Sequence, residues 1–328
     1  MKKRKLGKLG PAVSEIGLGC WQLGADWGDP MSESKAFSIL REAVSQGITI
    51  FDTADVYGQG KSEALIGKFL NSTTTPVTVI TKFGRGGNLY PNNYSEKALF
   101  DSVTGSLGRL GLTSLDLLQL HCVPQEILVQ GDIFTWLRKL QHEGLIKNFG
   151  ASVETVEQGL ICMEQEGLLS LQVIFNVFRQ KLLTELLPQA KDKGVGIIVR
   201  LPLASGLLSG NYTASTRFSK NDHRNYNRNG EAFNVGETFA GLTFEKGLHL
   251  IEKIRQNFLP DGMNMVQLAL RWILDHEAVS CIIPGASRPE QVVSNAAVSG
   301  LDPLPKQLHH QLYGFYLEEV QANIRGAY

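Results

Sequence analysis

With 328 residues, 43% of them hydrophobic and 20% charged, the chain is long enough for one large α/β domain or two smaller ones and can bury a sizeable core. Lys plus Arg and Asp plus Glu come to 32 each, so no overall field draws it to nucleic acid or an anionic membrane. The four cysteines, Cys20, Cys122, Cys162 and Cys281, stand far apart with no C-x-x-C pair, which suits a reducing compartment and argues against a disulfide framework or a zinc site.

In chain order, the basic start Met1-Lys2-Lys3-Arg4-Lys5 has no apolar stretch behind it and is not read as a signal peptide. No later run is apolar for membrane-spanning length, and a cytoplasmic protein is expected. Residues 5–9 and 12–15, joined through Gly10-Pro11, read as a short hairpin. β-branched runs then alternate with helical patterns. Strands are predicted at 16–19, 48–52, 77–81, 115–121, 147–151, 172–175, 196–200 and 281–283. Helices are predicted at 34–46, 61–70, 95–110, 131–143, 155–165, 184–193, 263–276 and 289–298. Eight strands each followed by a helix is the count of a (β/α)8 TIM barrel, here one domain over 1–328.

A doubly wound sheet would show the same alternation. However, Gly17-Leu18-Gly19-Cys20-Trp21-Gln22 lacks the third glycine of a dinucleotide fingerprint, and no G-x-x-x-x-G-K occurs. Outside the repeat, residues 211–242 form a long polar stretch without clear periodicity, placed after the seventh strand where loops carry function. Extra helices are expected at 247–258 and, at the C-terminus, 307–323.

The chemistry is concentrated in Ile50-Phe51-Asp52-Thr53-Ala54-Asp55-Val56-Tyr57-Gly58. A phenol has a free pKa of about 10, and a carboxylate nearby would raise it further. Asp52 and Tyr57 make a proton donor only with a cation between them. Lys82 ends the apolar run beginning at Val77, and His121 ends the run beginning at Leu115. Asp52, Tyr57, Lys82 and His121 at successive strand ends compose a proton-donating site.

These residues resemble the aldo-keto reductase family over nearly the whole chain. Gly17-Leu18-Gly19-Cys20-Trp21 is similar to its first strand, the Asp52–Tyr57 run to its D-T-A-x-x-Y-G signature, and Thr81-Lys82 and Leu120-His121 to its lysine and histidine positions. Gly150-Ala151-Ser152, Gln172 with Asn176, the run from Pro202 to Leu208, and Ile283-Pro284-Gly285-Ala286-Ser287 follow in family order. The resemblance implies a barrel whose bottom is closed by the N-terminal hairpin, and reduction of a small aldehyde or ketone with NADP(H). Tyr57 is then the acid, its pKa lowered by Lys82, which Asp52 holds protonated, and His121 orients the carbonyl.

The same resemblance assigns Ser152, Gln172 and Asn176 to the nicotinamide carboxamide. It assigns Leu203, Ser205, Gly206 and Leu208 to the pyrophosphate, Gly285, Ser287 and Arg288 to the adenosine 2′-phosphate, and Gln291 and Asn295 to the surroundings of adenine. Arg200 departs from the pattern: many members carry an aromatic residue there, stacked on the nicotinamide. A guanidinium can stack in its place, and a cation beside the ring would disfavour the oxidised, positively charged form. Trp21, Trp27 and Phe83 are the expected substrate pocket, and Arg217, Asp222, His223, Arg224 and Arg228 of the long loop either meet a phosphate or carboxylate on the substrate or are simply solvated. His142-Glu143 and His309-His310 lack metal-site spacing, and no metal is expected.

Two other readings differ in class. The family resembles the cytoplasmic β subunits of potassium channels, which bind nucleotide while serving as partners. A barrel lyase using Lys82 as a Schiff base would need a lysine without a tight carboxylate partner, which Asp52 argues against. Neither the substrate nor the oligomeric state is written in the sequence.

Overall fold

The protein is described from a computed structural model covering residues 1–24 and 31–328. A two-stranded antiparallel hairpin, β1 (Lys3–Lys5) and β2 (Ala12–Ser14), precedes eight parallel strands. These are β3 (Leu18–Gly19), β4 (Ile50–Asp52), β5 (Thr78–Phe83), β6 (Leu117–His121), β7 (Phe149–Ser152), β8 (Leu168–Ile174), β9 (Gly196–Arg200) and β10 (Val279–Ile282), each paired with its sequence neighbours. Parallel bridges from Ile16 to Ile282 and from Gly19 to Gly285 close the first edge onto the last, giving the barrel.

Side chains two apart on a strand share a face, and the two faces of these strands bury different things. Phe51, Val79, Leu118, Leu120, Val173 and Val199 point outward into the large core beneath the helices. Ile50, Ile80, Leu117 and Ile198 point inward and join Leu6, Val13, Leu169, Cys281 and Ile283 in a separate apolar cluster inside the barrel. The next inward residues are Asp52, Lys82, Gln119 and Arg200. Each strand's inner face therefore turns from apolar to polar toward its C-terminal end. The barrel has an oily floor and a charged mouth.

The helices lie where their sequence signals put them. Ser32, Ser95, Thr155, Thr243 and Asn264 cap helices Glu33–Ser45, Glu96–Leu110, Val156–Met163, Phe244–Asn257 and Met265–Leu274, each side chain accepting a backbone N–H three residues on. Among the described residues no helix is long and apolar enough to cross a membrane.

Several boundaries differ from the sequence reading. The first hairpin strand is Lys3–Lys5, not 5–9, because the chain turns at Gly7 (φ 68°) and Leu6 plugs the barrel floor. β8 starts at Leu168, four residues before its predicted start, since its early residues pair with Phe149 and Gly150. The C-terminal α-helix ends at Phe315 and continues as a π turn, Tyr316–Val320, and a 3-10 turn, Gln321–Asn323. A short helix, Gln125–Gln130, was not foreseen.

The polar stretch 211–242 is built rather than solvated. It contains helix His223–Tyr226 and 3-10 turns Val235–Glu237 and Phe239–Gly241. Asn227, fully buried, accepts the N–H groups of Ala232 and Phe233 at 2.9 Å and donates to Thr238 Oγ1 at 3.0 Å. From the C-terminal tail, Arg325 donates to the carbonyls of Gly241, Leu242 and Arg228.

Gly150 is required by close strand packing, since a Cβ there would stand 2.5 Å from the Ser170 carbonyl oxygen. Gly150→Ala should lower stability by about 1–3 kcal/mol, the usual cost of overpacking. Chemical denaturation checks this, and an unchanged midpoint would contradict it.

Candidate active site

Asp52, Lys82 and His121 end adjacent barrel strands, and Tyr57 sits on the turn after β4. Lys82 is 1% exposed. Its Nζ donates to Asp52 Oδ1 at 2.6 Å, to the Thr53 carbonyl at 2.6 Å and to Tyr57 Oη at 3.4 Å. The other carboxylate oxygen of Asp52 accepts from Gln172 Nε2 at 2.7 Å. The Tyr57 and His121 rings stand 6.0 Å apart, nearly perpendicular. Because Lys82 donates its N–H to the phenol oxygen, the phenolic O–H is left to point elsewhere.

Burial alone would lower the Lys82 pKa, but Asp52 and Tyr57 outweigh it and the net shift is upward, so the ammonium stays charged. For Tyr57 the outcome differs from the sequence reading. Burial pushes the phenol up, Lys82 pulls it back only in part, and Asp52 and Glu237 add to the rise. Tyr57 is thus held firmly protonated. His121 lies well below the usual histidine range, through burial first and then the positive charges of Arg85, Lys82 and Arg200. It is a neutral imidazole at neutral pH.

A cavity of about 730 Å³ opens over this group. Asp52, Tyr57, His121, Gln172, Arg200, Leu203, Ser205, Gly206, Gly285, Ser287, Arg288, Gln291, Asn295 and Trp21 line it. Ser152, Asn176 and Leu208 lie outside the lining. Asn176 is fully buried, donating to the Leu201 carbonyl and accepting from Phe178 N, while Ser152 Oγ is 3.4 Å from Gln172 Oε1. Phe83 also stays out of the cavity. One residue beyond inward Lys82, it points outward and packs on Tyr94 at 6.2 Å. Trp27 lies outside the described residues.

Some polar groups are already engaged. Ser205 Oγ donates to the Glu237 carbonyl and accepts from Phe239 N, tying the turn after β9 to the long loop. Leu201, Ala204 and Ser205 all have positive φ, strain of the kind that gathers at ligand clamps. Ser287 donates through both N and Oγ to Gln291 Oε1. Arg288 is exposed at the start of helix Pro289–Ala297, which has no side-chain cap.

The sequence reading missed Gln22, Tyr212, Phe218 and Glu237, all of which line the cavity, as does His223 of the loop group read as meeting an anionic substrate. His223 packs on Trp21 at 4.8 Å with its ring tilted by 42°, and Trp21 in turn lies 6.0 Å from Tyr57. Of the loop arginines, Arg224 is clamped by Asp222 and Arg217 bonds to nearby carbonyls, so much of their hydrogen bonding is spent within the loop. Cys122, Glu154 and Glu237 come together closely enough to hold a metal ion, but Arg85 donates to both carboxylates, at 2.8 and 2.9 Å.

The cavity suits a long, partly anionic cofactor. A carboxamide or ribose would meet polar atoms without partners, Gln22 Oε1 and Arg200 Nε among them. Side chains pack directly on glycine at two points of the cradle: a Cβ on Gly206 would stand 2.3 Å from Tyr212 Oη, and one on Gly285 2.2 Å from Gln22 Nε2.

Comparison with known proteins agrees with this geometry. The family model described as "Aldo/keto reductase family" matches residues 15–316. Among curated proteins, an uncharacterized oxidoreductase of Bacillus subtilis, YqkF, is 29% identical over 303 residues, covering 90% of each chain. The aldo-keto reductase YhdN of the same organism is 27% identical over 304 residues, covering 92% of this chain and 89% of its own. Among solved structures, aldo-keto reductase AKR11C1 from Bacillus halodurans, in its holo form, is similar with a TM-score of 0.76 and 25% identity, covering 100% of this chain and 98% of its own. Glycerol dehydrogenase AKR11B4 from Gluconobacter oxydans gives 0.79 and 25%, covering 99% and 98%.

A histidine that is neutral throughout the working range contributes no titration near the ordinary value of about 6.5. Activity followed from pH 8 down to pH 5.5 should therefore show no limb there that His121→Gln removes. A limb near pH 6.5 lost in that variant would contradict the neutral assignment.

Proposed function

The chain belongs to the aldo/keto reductase family, and from that premise we propose that it reduces a small aldehyde or ketone to the alcohol with NADPH. The observation that carries the reading is the Lys82 ammonium, buried behind the cavity lining and bonded at once to Asp52 and to Tyr57 Oη, which both line the cavity.

When bound, NADPH supplies the hydride, which no side chain can provide. The protein's part is to place the carbonyl and manage one proton. His121 donates a hydrogen bond to the carbonyl oxygen and, being neutral, leaves the proton transfer to Tyr57. As negative charge grows on that oxygen, Tyr57 gives up its proton. A raised phenol pKa is no obstacle, because an alkoxide is a far stronger base than any phenolate. The phenolate that results lies beside Lys82, which is already aimed at Oη. A cation fixed in place before the charge develops needs no rearrangement.

Ser287, Arg288 and the uncapped start of helix Pro289–Ala297 support NADPH over NADH, since a helix N-terminus and an exposed guanidinium suit a 2′-phosphate. Trp21, Tyr57 and His223 give the substrate end an aromatic wall, which fits a carbonyl compound with an apolar body.

Two measurements test this. Following NADPH absorbance against a panel of aldehydes and ketones, the wild type should turn over, while Tyr57→Phe should bind NADPH as before and lose at least ~100-fold in turnover. Equal turnover would remove Tyr57 from its role. Arg288→Ala should weaken NADPH about tenfold and leave NADH nearly unchanged; an equal loss for both would place the 2′-phosphate elsewhere.

A further inference from the structure

The wall of the cavity next to His121 holds four charges that sum to zero. Arg85, just after β5, donates to Glu154 Oε1 at 2.8 Å and to Glu237 Oε1 at 2.9 Å. Arg200, at the end of β9, has Nη1 3.4 Å from the same Glu237 oxygen, and its Nη2 lies near the Val153 carbonyl and Cys122 Sγ. Of the four, only Arg200 and Glu237 line the cavity. Glu237 comes from the long loop, 37 residues after Arg200, and its carboxylate is 9% exposed. Although burial opposes it, Arg85 and Arg200 hold that carboxyl below the usual range, so the charge is present at neutral pH.

We propose that Glu237 is a positioning residue whose charge lets the oxidised cofactor be held against Arg200, and so sets the balance between NADP⁺ and NADPH. This rests on the reductase reading, which puts the nicotinamide beside Arg200. The oxidised ring carries a positive charge and the reduced ring none. Arg200 without a counterion would repel NADP⁺ selectively, whereas the pair presents the ring with little net charge. Such a pair is only partly screened by water or salt. The bias toward reduction expected of Arg200 from the sequence is thereby largely cancelled by a loop residue.

A purely mechanical role is the competing explanation, because the Glu237 carbonyl also accepts Ser205 Oγ at 2.9 Å and so anchors the loop. An anchor would affect both redox forms alike; a counterion separates them. Glu237→Gln keeps the shape and an acceptor oxygen for Arg85 while removing the charge, leaving the group at a net charge of plus one.

The test is the dissociation constants of NADP⁺ and NADPH, measured by fluorescence quenching at low and moderate salt. In Glu237→Gln the ratio of the NADP⁺ constant to the NADPH constant should rise at least ~5-fold, less so at higher salt. Arg200→Gln should move the ratio the other way, and the double variant should return it toward the wild-type value. If Glu237→Gln fails to fold, Arg200→Gln alone decides: an unmoved ratio overturns the proposal. An unmoved ratio in Glu237→Gln overturns it too, whether both affinities hold or both fall. A wild type that binds neither nucleotide would overturn the reductase reading and this inference together, whereas NADPH binding with a fixed ratio overturns this inference alone.

Discussion

Lys82 Nζ is surrounded by three acceptors, the Asp52 carboxylate, the Thr53 carbonyl and the Tyr57 phenol, and an ammonium has three protons to give. A lysine that is 1% exposed would lose its charge without a partner. Asp52 supplies that partner and is itself fixed through its second oxygen by Gln172, from the far side of the barrel. Removing one member of such a group leaves an uncompensated buried charge, which costs about 3–5 kcal/mol. Stability and chemistry are thus vested in the same four atoms' worth of contact, and the barrel must keep its strand register for either to exist.

That register was legible because the alternation is strict. Ile50 and Asp52, Ile80 and Lys82, Leu117 and His121, and Ile198 and Arg200 are pairs or series at even spacing, apolar toward the floor and polar toward the mouth. A parallel barrel buries both faces of its strands, so a lone polar residue at the end of an apolar run has few places to point other than inward at the top. This is why strand ends alone located Asp52, Lys82 and His121. Phe83 shows the limit of the same logic. Its apolar character suggested a substrate wall, but parity sends it outward, and counting from Lys82 would have said so.

What stayed hidden is what depends on contacts between distant segments. No pattern in 211–242 announces that Glu237 reaches Arg85, 152 positions earlier, or that Asn227 knots the loop internally. Polar composition looks the same whether the side chains meet water or one another. The direction of the Tyr57 shift was hidden for a similar reason. Sequence supplies the cation beside the phenol, but the cost of burying the phenolate depends on how much protein surrounds it, and here burial outweighs Lys82.

The charges at the mouth of the barrel are supplied in two ways. Lys82 and Asp52 sit on adjacent strands and are held by the barrel's own hydrogen bonds, so their geometry is set when the sheet closes. The charge facing Arg200 instead arrives on a segment outside the sheet, bonded to Arg85, to Ser205 and, through Gly241 and Leu242, to the tail residue Arg325, and packed into the large core through Phe239, Ala240 and Leu242. The Asp52–Lys82 pair is therefore set by the sheet, while the charge balance around Arg200 depends on how the loop packs against it. A family member could retune that balance by changing the loop without touching Lys82 or Tyr57. The charges of Asp52 and Lys82 are thus written in the strands, and the one that meets Arg200 in the loop.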